Sequence, residues 1–221
     1  MDRLKTKELF TVPDSSVSLE YLMKYEYPWE ALGGIKDFIL ELGRTLSPEQ
    51  YDNPSPDVWI SKNAKVAPTA FIGGPTIIME GAEVRHCAFI RGSVLVGNGA
   101  TVGNSTELKN CILFDKAQAP HFNYIGDSIL GYAAHTGAGA VTSNLKSDKS
   151  LVSVKVGEKR YATGLKKFGA ILGDFVEVGC GSVLNPGTVI GRESNIYPLS
   201  SVRGFIPERS IFKGKETVKK I

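Results

Sequence analysis

The chain of 221 residues predicts an all-β solenoid of stacked parallel strands. Three observations carry this: an aliphatic residue at every sixth position, small residues at fixed places within each six, and one long interruption after which the phase returns. The aliphatic series starts at Ile60 and runs through Val66, Ile72, Ile78, Val84, Ile90, Val96, Val102 and Leu108. It resumes as Leu172, Val178, Leu184, Ile190, Ile196 and Val202. A strand and turn of six residues buries its one aliphatic side chain only if the chain coils and each copy stacks on the next. Three such units per coil form a triangular prism. Ala64, Ala70, Ala82, Ala88 and Ala100, with Gly73, Gly97 and Gly103 directly after aliphatic residues, mark its tight corners.

Before the repeat, Trp29, Leu32, Ile35, Phe38, Ile39 and Leu42 recur at spacings of three and four, which predicts a helix of about four turns with one apolar face. Tyr27-Pro28 and Ser47-Pro48 bracket it, and Gly43 ends it. Residues 52–57, with Pro54 and Pro56, read as a linker. The chain therefore divides into an N-terminal helical segment and linker, 1–57, and a β-helix domain, 58–221. Within the latter, residues 143–171 interrupt the hexads with polar residues. The alternation Leu151, Ser153, Lys155 predicts a projecting hairpin, and a loop this long in a solenoid is usually functional or an oligomer contact.

Composition narrows the function classes. No apolar run approaches the roughly 20 residues of a membrane span, and a net charge of +3 is too small to point to nucleic acid. The tail lysines Lys213, Lys215, Lys219 and Lys220 read as solvated. Cys87, Cys111 and Cys180 are odd in number and widely spaced, which fits free thiols rather than a disulfide framework or a metal site. The N-terminus lacks the apolar segment of a secretory signal, so a cytoplasmic protein is expected.

The chemistry is sought where the repeat breaks. In residues 119–127 (APHFNYIGD) Pro120 takes the place of an aliphatic residue and the phase slips, which turns His121 outward at a corner. An imidazole titrates at about 6.5 in water and can take a proton from an ammonium or hydroxyl acceptor near neutrality. On these grounds alone, a surface histidine bonded to a neighbouring coil is the alternative.

Residues 102–109 (VGNSTELK), 119–127, 137–139 (GAG) and 142–144 (TSN) resemble the acetyltransferase half of the bifunctional N-acetylglucosamine-1-phosphate uridyltransferase/glucosamine-1-phosphate acetyltransferase family, over roughly residues 58 to 205. Residues 144–148 (NLKSD), 164–169 (GLKKFG) and 185–187 (NPG) are similar to its archaeal-type sugar-1-phosphate members. The resemblance implies a left-handed parallel β-helix, a homotrimer, and acetyl-CoA lying along the groove between subunits. It also implies that acyl transfer requires no metal. His121 then corresponds to the base that deprotonates the sugar's amino group. Arg91 and Lys109 correspond to the pair that binds the sugar phosphate, a planar fork and a point charge. Tyr124 corresponds to a sugar-site tyrosine, and Asn144 to a residue beside the acetyl group and the amine that, with backbone amides, steadies the thioester oxyanion. Ala138, Cys180 and Pro198, with Asn144, fall at cofactor positions.

Two departures bear on the acceptor: His135 replaces a sugar-site asparagine, and Leu145 replaces a tyrosine. A family lysine after Asn144 matches either Lys149 or Lys155. Residues 1–57 lack the Gly-rich loop of the fused nucleotidyltransferase, so no nucleotide sugar is expected from this chain unaided. Two other classes stand beside this reading. One is a zinc lyase using His86, His121 and His135, and the other is a non-catalytic scaffold that partners a separate sugar nucleotidyltransferase.

Overall fold

In the computed structural model, residues 2–11, 16–214 and 216–220 are described; Lys215 of the basic tail lies outside them. From Val58 onward the chain coils into a three-walled, left-handed parallel β-helix. The first wall stacks Val58–Ser61, Thr76–Ile78, Val94–Val96 and, further along, Ala170–Leu172, Thr188–Ile190 and Phe205–Ile206. The second runs from Lys65–Val66 through Thr101–Asn104, Gln118–His121 and His135–Thr136 to Ser210–Phe212. The third contains Phe71–Ile72, Phe89–Ile90, Val141–Thr142, Val183–Leu184 and Ser201–Val202. Ile78, Val84, Ile90, Val96, Val102 and Leu108 form one interior cluster with Leu172, Val178, Leu184, Ile190, Ile196 and Val202. This is the stack that the six-residue period predicts. At the open N-terminal end Val66 remains 37% exposed, because no coil lies beneath it.

The phase slips before Pro120, not at it. Leu113 stacks on Val96 and Leu130 on Leu113, so the steps from Leu108 to Leu113 and from Ile125 to Leu130 span five residues instead of six. Strands Glu107–Leu113 and Tyr124–Leu130 run unbroken round the corner between the third and first walls. Asn110 (φ 48°) and Asp127 (φ 47°) make that turn in the left-handed region, which asparagine and aspartate tolerate better than most side chains. Ala119 then points into the core, stacked on Val102.

The N-terminal segment forms Thr6–Leu9, Val17–Leu22, a 3₁₀ stretch Pro28–Gly34 and an α-helix Ile35–Gly43. The expected four-turn helix is thus split, and its 3₁₀ half ends on Gly33-Gly34, the pair with the weakest helix propensity in the run. Its apolar face is confirmed: Trp29, Leu32, Ile35 and Ile39 are buried. They pack on a stripe of outward side chains of the first wall, Ile77, Leu95, Ile112, Ile129, Ile171 and Val189. Gly43 lets the helix end approach, since a β-carbon there would lie 2.5 Å from the Trp59 ring.

The expected linker is partly strand. Tyr51–Ser55 pairs antiparallel with Val58–Ser61, and Asn53 Nδ2 donates to the Val58 carbonyl at 2.7 Å. It lies at the sheet edge, where Pro54 is tolerated because one side needs no donor. In the interruption, Ser153–Val156 and Lys159–Ala162 make the hairpin. It leaves the stack after the third wall and lies back over the first, where Val152, Val154 and Phe168 complete the apolar layer. Each fully buried side chain of that layer contributes about 1.5–3 kcal/mol.

Candidate functional site

Four of the expected site residues share one corner. His121 aligns with Asn104 in the coil before it, and Ala138, Cys180 and Pro198 follow in successive coils, each step about 4.8 Å. His86 begins the same column, where Asn104 Nδ2 donates to its carbonyl at 3.1 Å. His121 ends the strand Gln118–His121 and is exposed. The next residue, Phe122, turns the corner with φ 52° and is 62% exposed. Asn123 holds this corner from below. Its Oδ1 accepts the His121 N–H (3.1 Å), and its Nδ2 donates to the carbonyls of Gly137 (2.8 Å) and Ala140 (3.0 Å).

Across the corner, the third wall carries the expected sugar-site residues on its outer face. Glu107 and Tyr124 are in register, as are Lys109 and Gly126, and Arg91 precedes Lys109 by one coil, its N–H bonded to the Leu108 carbonyl. Each cation has a carboxylate: Arg91 Nη1 lies 2.8 Å from Glu107 Oε1, and Lys109 Nζ lies 3.2 Å from Asp127 Oδ1. The hydrogen bond to Glu107 pushes the Arg91 pKa up. Burial, and then the charges of Asp127 and Glu107, raise the Tyr124 phenol above its ordinary 10.0.

Asp127 sits between these groups, 4% exposed. A buried carboxylate is tolerated only when donors surround it, and here three side chains donate. Lys109 Nζ reaches both oxygens (3.2 and 3.3 Å), Asn110 Nδ2 reaches Oδ1 (3.0 Å) and Asn144 Nδ2 reaches Oδ2 (2.5 Å). Asn110 Nδ2 also donates to the Leu32 carbonyl at 3.2 Å, which ties the N-terminal segment to the group. Asn144 Nδ2 also donates to the Tyr124 hydroxyl at 3.2 Å. Both of its amide hydrogens are thus engaged, and a carboxylate, which only accepts, fixes which end of the amide faces it. In this arrangement Oδ1 of Asn144 is the amide atom left to the site.

The other expected residues are not brought here. His135 lies on the second wall, aligned with Gln118 and Glu177, and its Nδ1 is 2.8 Å from Glu177 Oε2. Lys149 occupies a left-handed turn (φ 57°), and Lys155 faces Arg160 across the hairpin over the first wall. No hydrogen bond or ion pair joins either lysine to the Asp127 group among the described residues. His86 Nδ1 lies 2.9 Å from Thr69 Oγ1, and no three His, Cys, Asp or Glu side chains among the described residues are grouped to hold a metal ion. Cys111 is fully buried, which pushes its thiol pKa up and keeps it inert. No described helix is long and apolar enough to cross a membrane. Sequence reasoning did not assign roles to Asn123 or Asp127.

Comparisons place these motifs among known proteins. The family described as GMPPB C-terminal domain matches residues 72–203. The bifunctional sugar-1-phosphate nucleotidylyltransferase/acetyltransferase of Sulfurisphaera tokodaii is 34% identical over 50% of this chain, which spans 28% of that relative's length. YaiX of Escherichia coli strain K12, an uncharacterised protein named as an acetyltransferase, is 31% identical over 71% of this chain and 68% of its own. Among solved structures, a Bacillus cereus protein described as an acetyltransferase superimposes with a TM-score of 0.47 at 16% identity, covering 72% of this chain and 78% of that one.

Proposed function

This chain belongs to the GMPPB C-terminal domain family, and from that premise we propose that it is an acetyl-CoA-dependent N-acetyltransferase of an amino-sugar phosphate, glucosamine-1-phosphate or galactosamine-1-phosphate. One observation carries the reading. The exposed His121 shares a corner with Ala138, Cys180 and Pro198, and Lys109, Tyr124, Asp127 and Asn144 form a bonded group just across it. A general base therefore stands between a run of small side chains suited to a pantetheine arm and a polar face suited to a sugar. The names of the Sulfurisphaera tokodaii and Escherichia coli relatives agree with the chemistry.

In the proposed reaction the acceptor amine attacks the thioester carbonyl carbon of acetyl-CoA. His121 takes the proton that the nitrogen loses as the new C–N bond forms. The tetrahedral intermediate collapses with cleavage of the C–S bond, and the departing thiolate receives that proton. Asn144 Oδ1 accepts a hydrogen bond from the amine and aims its lone pair. Arg91 and Lys109 provide N–H donors for the phosphate besides those that meet Glu107 and Asp127. The corner column is an open ridge, with Leu199 85% exposed beside it, and a second copy of the chain in a homotrimer would cover the cofactor.

One observation favours a second reading, a scaffold that partners a separate nucleotidyltransferase. Both candidate phosphate cations are already paired with carboxylates. Thiol release from acetyl-CoA separates the two. The panel is glucosamine-1-phosphate, galactosamine-1-phosphate, glucosamine-6-phosphate and a UDP-amino sugar. The enzyme reading expects release with a sugar-1-phosphate, and silence across the panel would favour the scaffold.

A further inference from the structure

We propose that Asp127 is the positioning residue of this site. Its carboxylate sets the orientation of the Asn144 amide and the place of the Lys109 ammonium, and thereby decides which hydrogen-bond pattern the site presents to its acceptor. The inference deepens the acetyltransferase reading and rests on it for its kinetic consequence only.

Asp127 is 4% exposed, and a carboxylate so buried needs donors around it. The donors come from neighbouring coils: Lys109 lies eighteen residues before it, and Asn110 and Asn144 lie seventeen residues before and after. Stacking fixes them. Lys109 is in register with Gly126, and Tyr124 with Val141, which brings Asn144 over Asp127. The backbone is equally constrained, because the Asp127 carbonyl accepts the Gly169 N–H at 2.8 Å where the interruption rejoins the stack.

A carboxylate has no donor, so it accepts only the Nδ2 end of Asn144. The Tyr124 hydroxyl takes the other amide hydrogen. Asn144 is half-exposed and its Oδ1 is left over, an acceptor that selects an N–H donor such as a primary amine and disfavours a carbonyl or ether oxygen. Lys109 is held on the opposite side of the same carboxylate. One buried charge thus spaces an amine acceptor and a phosphate donor, and the spacing selects acceptors that carry both groups.

The test compares the parent protein with Asp127→Asn, Asn144→Ala and the double variant. It reads the Asn144 side-chain NH₂ signal by NMR, identified by its absence in Asn144→Ala, together with kcat and the KM values. The expected outcome is slow solvent exchange of that NH₂ in the parent protein and fast exchange in Asp127→Asn. Turnover should fall at least about tenfold, with KM for acetyl-CoA within about threefold. Residues that act as a unit are non-additive, so the double variant should be no worse than the poorer single by more than about threefold. A retained slow exchange in Asp127→Asn, or additive losses in turnover, would overturn the proposal. If the parent protein acetylates no acceptor, the acetyltransferase reading fails while the exchange measurement still decides the placement of Asn144.

Discussion

At Gly126 a β-carbon would lie 2.5 Å from the Tyr124 hydroxyl, so the glycine of the Tyr-x-Gly-Asp run is there to let the phenol lie back toward Asn144. Gly126→Ala is expected to push that hydroxyl out of reach and cut turnover at least tenfold, or about 1.4 kcal/mol of barrier, with the circular dichroism spectrum unchanged. Asn123 has a different task. Asn123→Ala removes the partner of the His121 N–H and of two carbonyls, and leaving buried polar groups unpaired costs about 1–3 kcal/mol. A lower urea midpoint checks it. The exposed place of His121 was legible, although the slip that drew attention to it lies earlier, between Leu108 and Leu113, and the steps from Leu113 to Ala119 and on to Ile125 are regular sixes. Asp127 stood in the same motif, yet its role depends on donors seventeen or eighteen residues away, whose approach is set by register. The direction of the Asn144 amide was illegible for the same reason, and the pairing of His135 with Glu177 has no local sign in the sequence either.

The walls differ in what they face, and the sequence carried that difference without its being read. In each coil of the first wall the core aliphatic is preceded by another apolar residue, as in Trp59-Ile60, Ile77-Ile78, Leu95-Val96, Ile112-Leu113, Ile129-Leu130, Ile171-Leu172 and Val189-Ile190. The second wall has Glu83, Thr101 and Gln118 at the corresponding outward place. Doubled apolar residues once per coil signal a wall covered by something else, here the N-terminal helices and the hairpin. The covering explains why residues 28–43 are amphipathic. Leu95→Ala is expected to destabilise by about 2–5 kcal/mol because it opens a cavity in that layer, whereas Thr101→Ala should stay within about 0.5 kcal/mol. Equal shifts in denaturation midpoint for the two variants would contradict the covering role. The strand within the linker was illegible at this scale because prolines usually mark irregular chain, and only an unpaired sheet edge makes Pro54 compatible with a strand.

For the whole molecule, Tyr21, Tyr51 and Tyr124 all have phenols raised above 10.0, with burial the largest cause in each. The folded state then holds these protons after the unfolded chain has begun to lose them. Stability from this source is complete below about pH 10 and falls as pH rises further. A urea midpoint flat from pH 8 to 9.5 and lower at 10.5 is expected. The solenoid was readable from the aliphatic period alone, since stacking repeats is local information. The assembly is a property of surfaces, and the trimer proposed for this chain predicts a sedimenting mass three times 23.9 kDa. Acyl transfer here turns on His121 as the proposed proton acceptor at a site shared with acetyl-CoA. The most direct measurement is turnover of His121→Ala at saturating acetyl-CoA and acceptor, with coenzyme A affinity measured on the same sample. A loss of about 10² or more in kcat is expected, with affinity within about threefold. Turnover near that of the parent protein would contradict it.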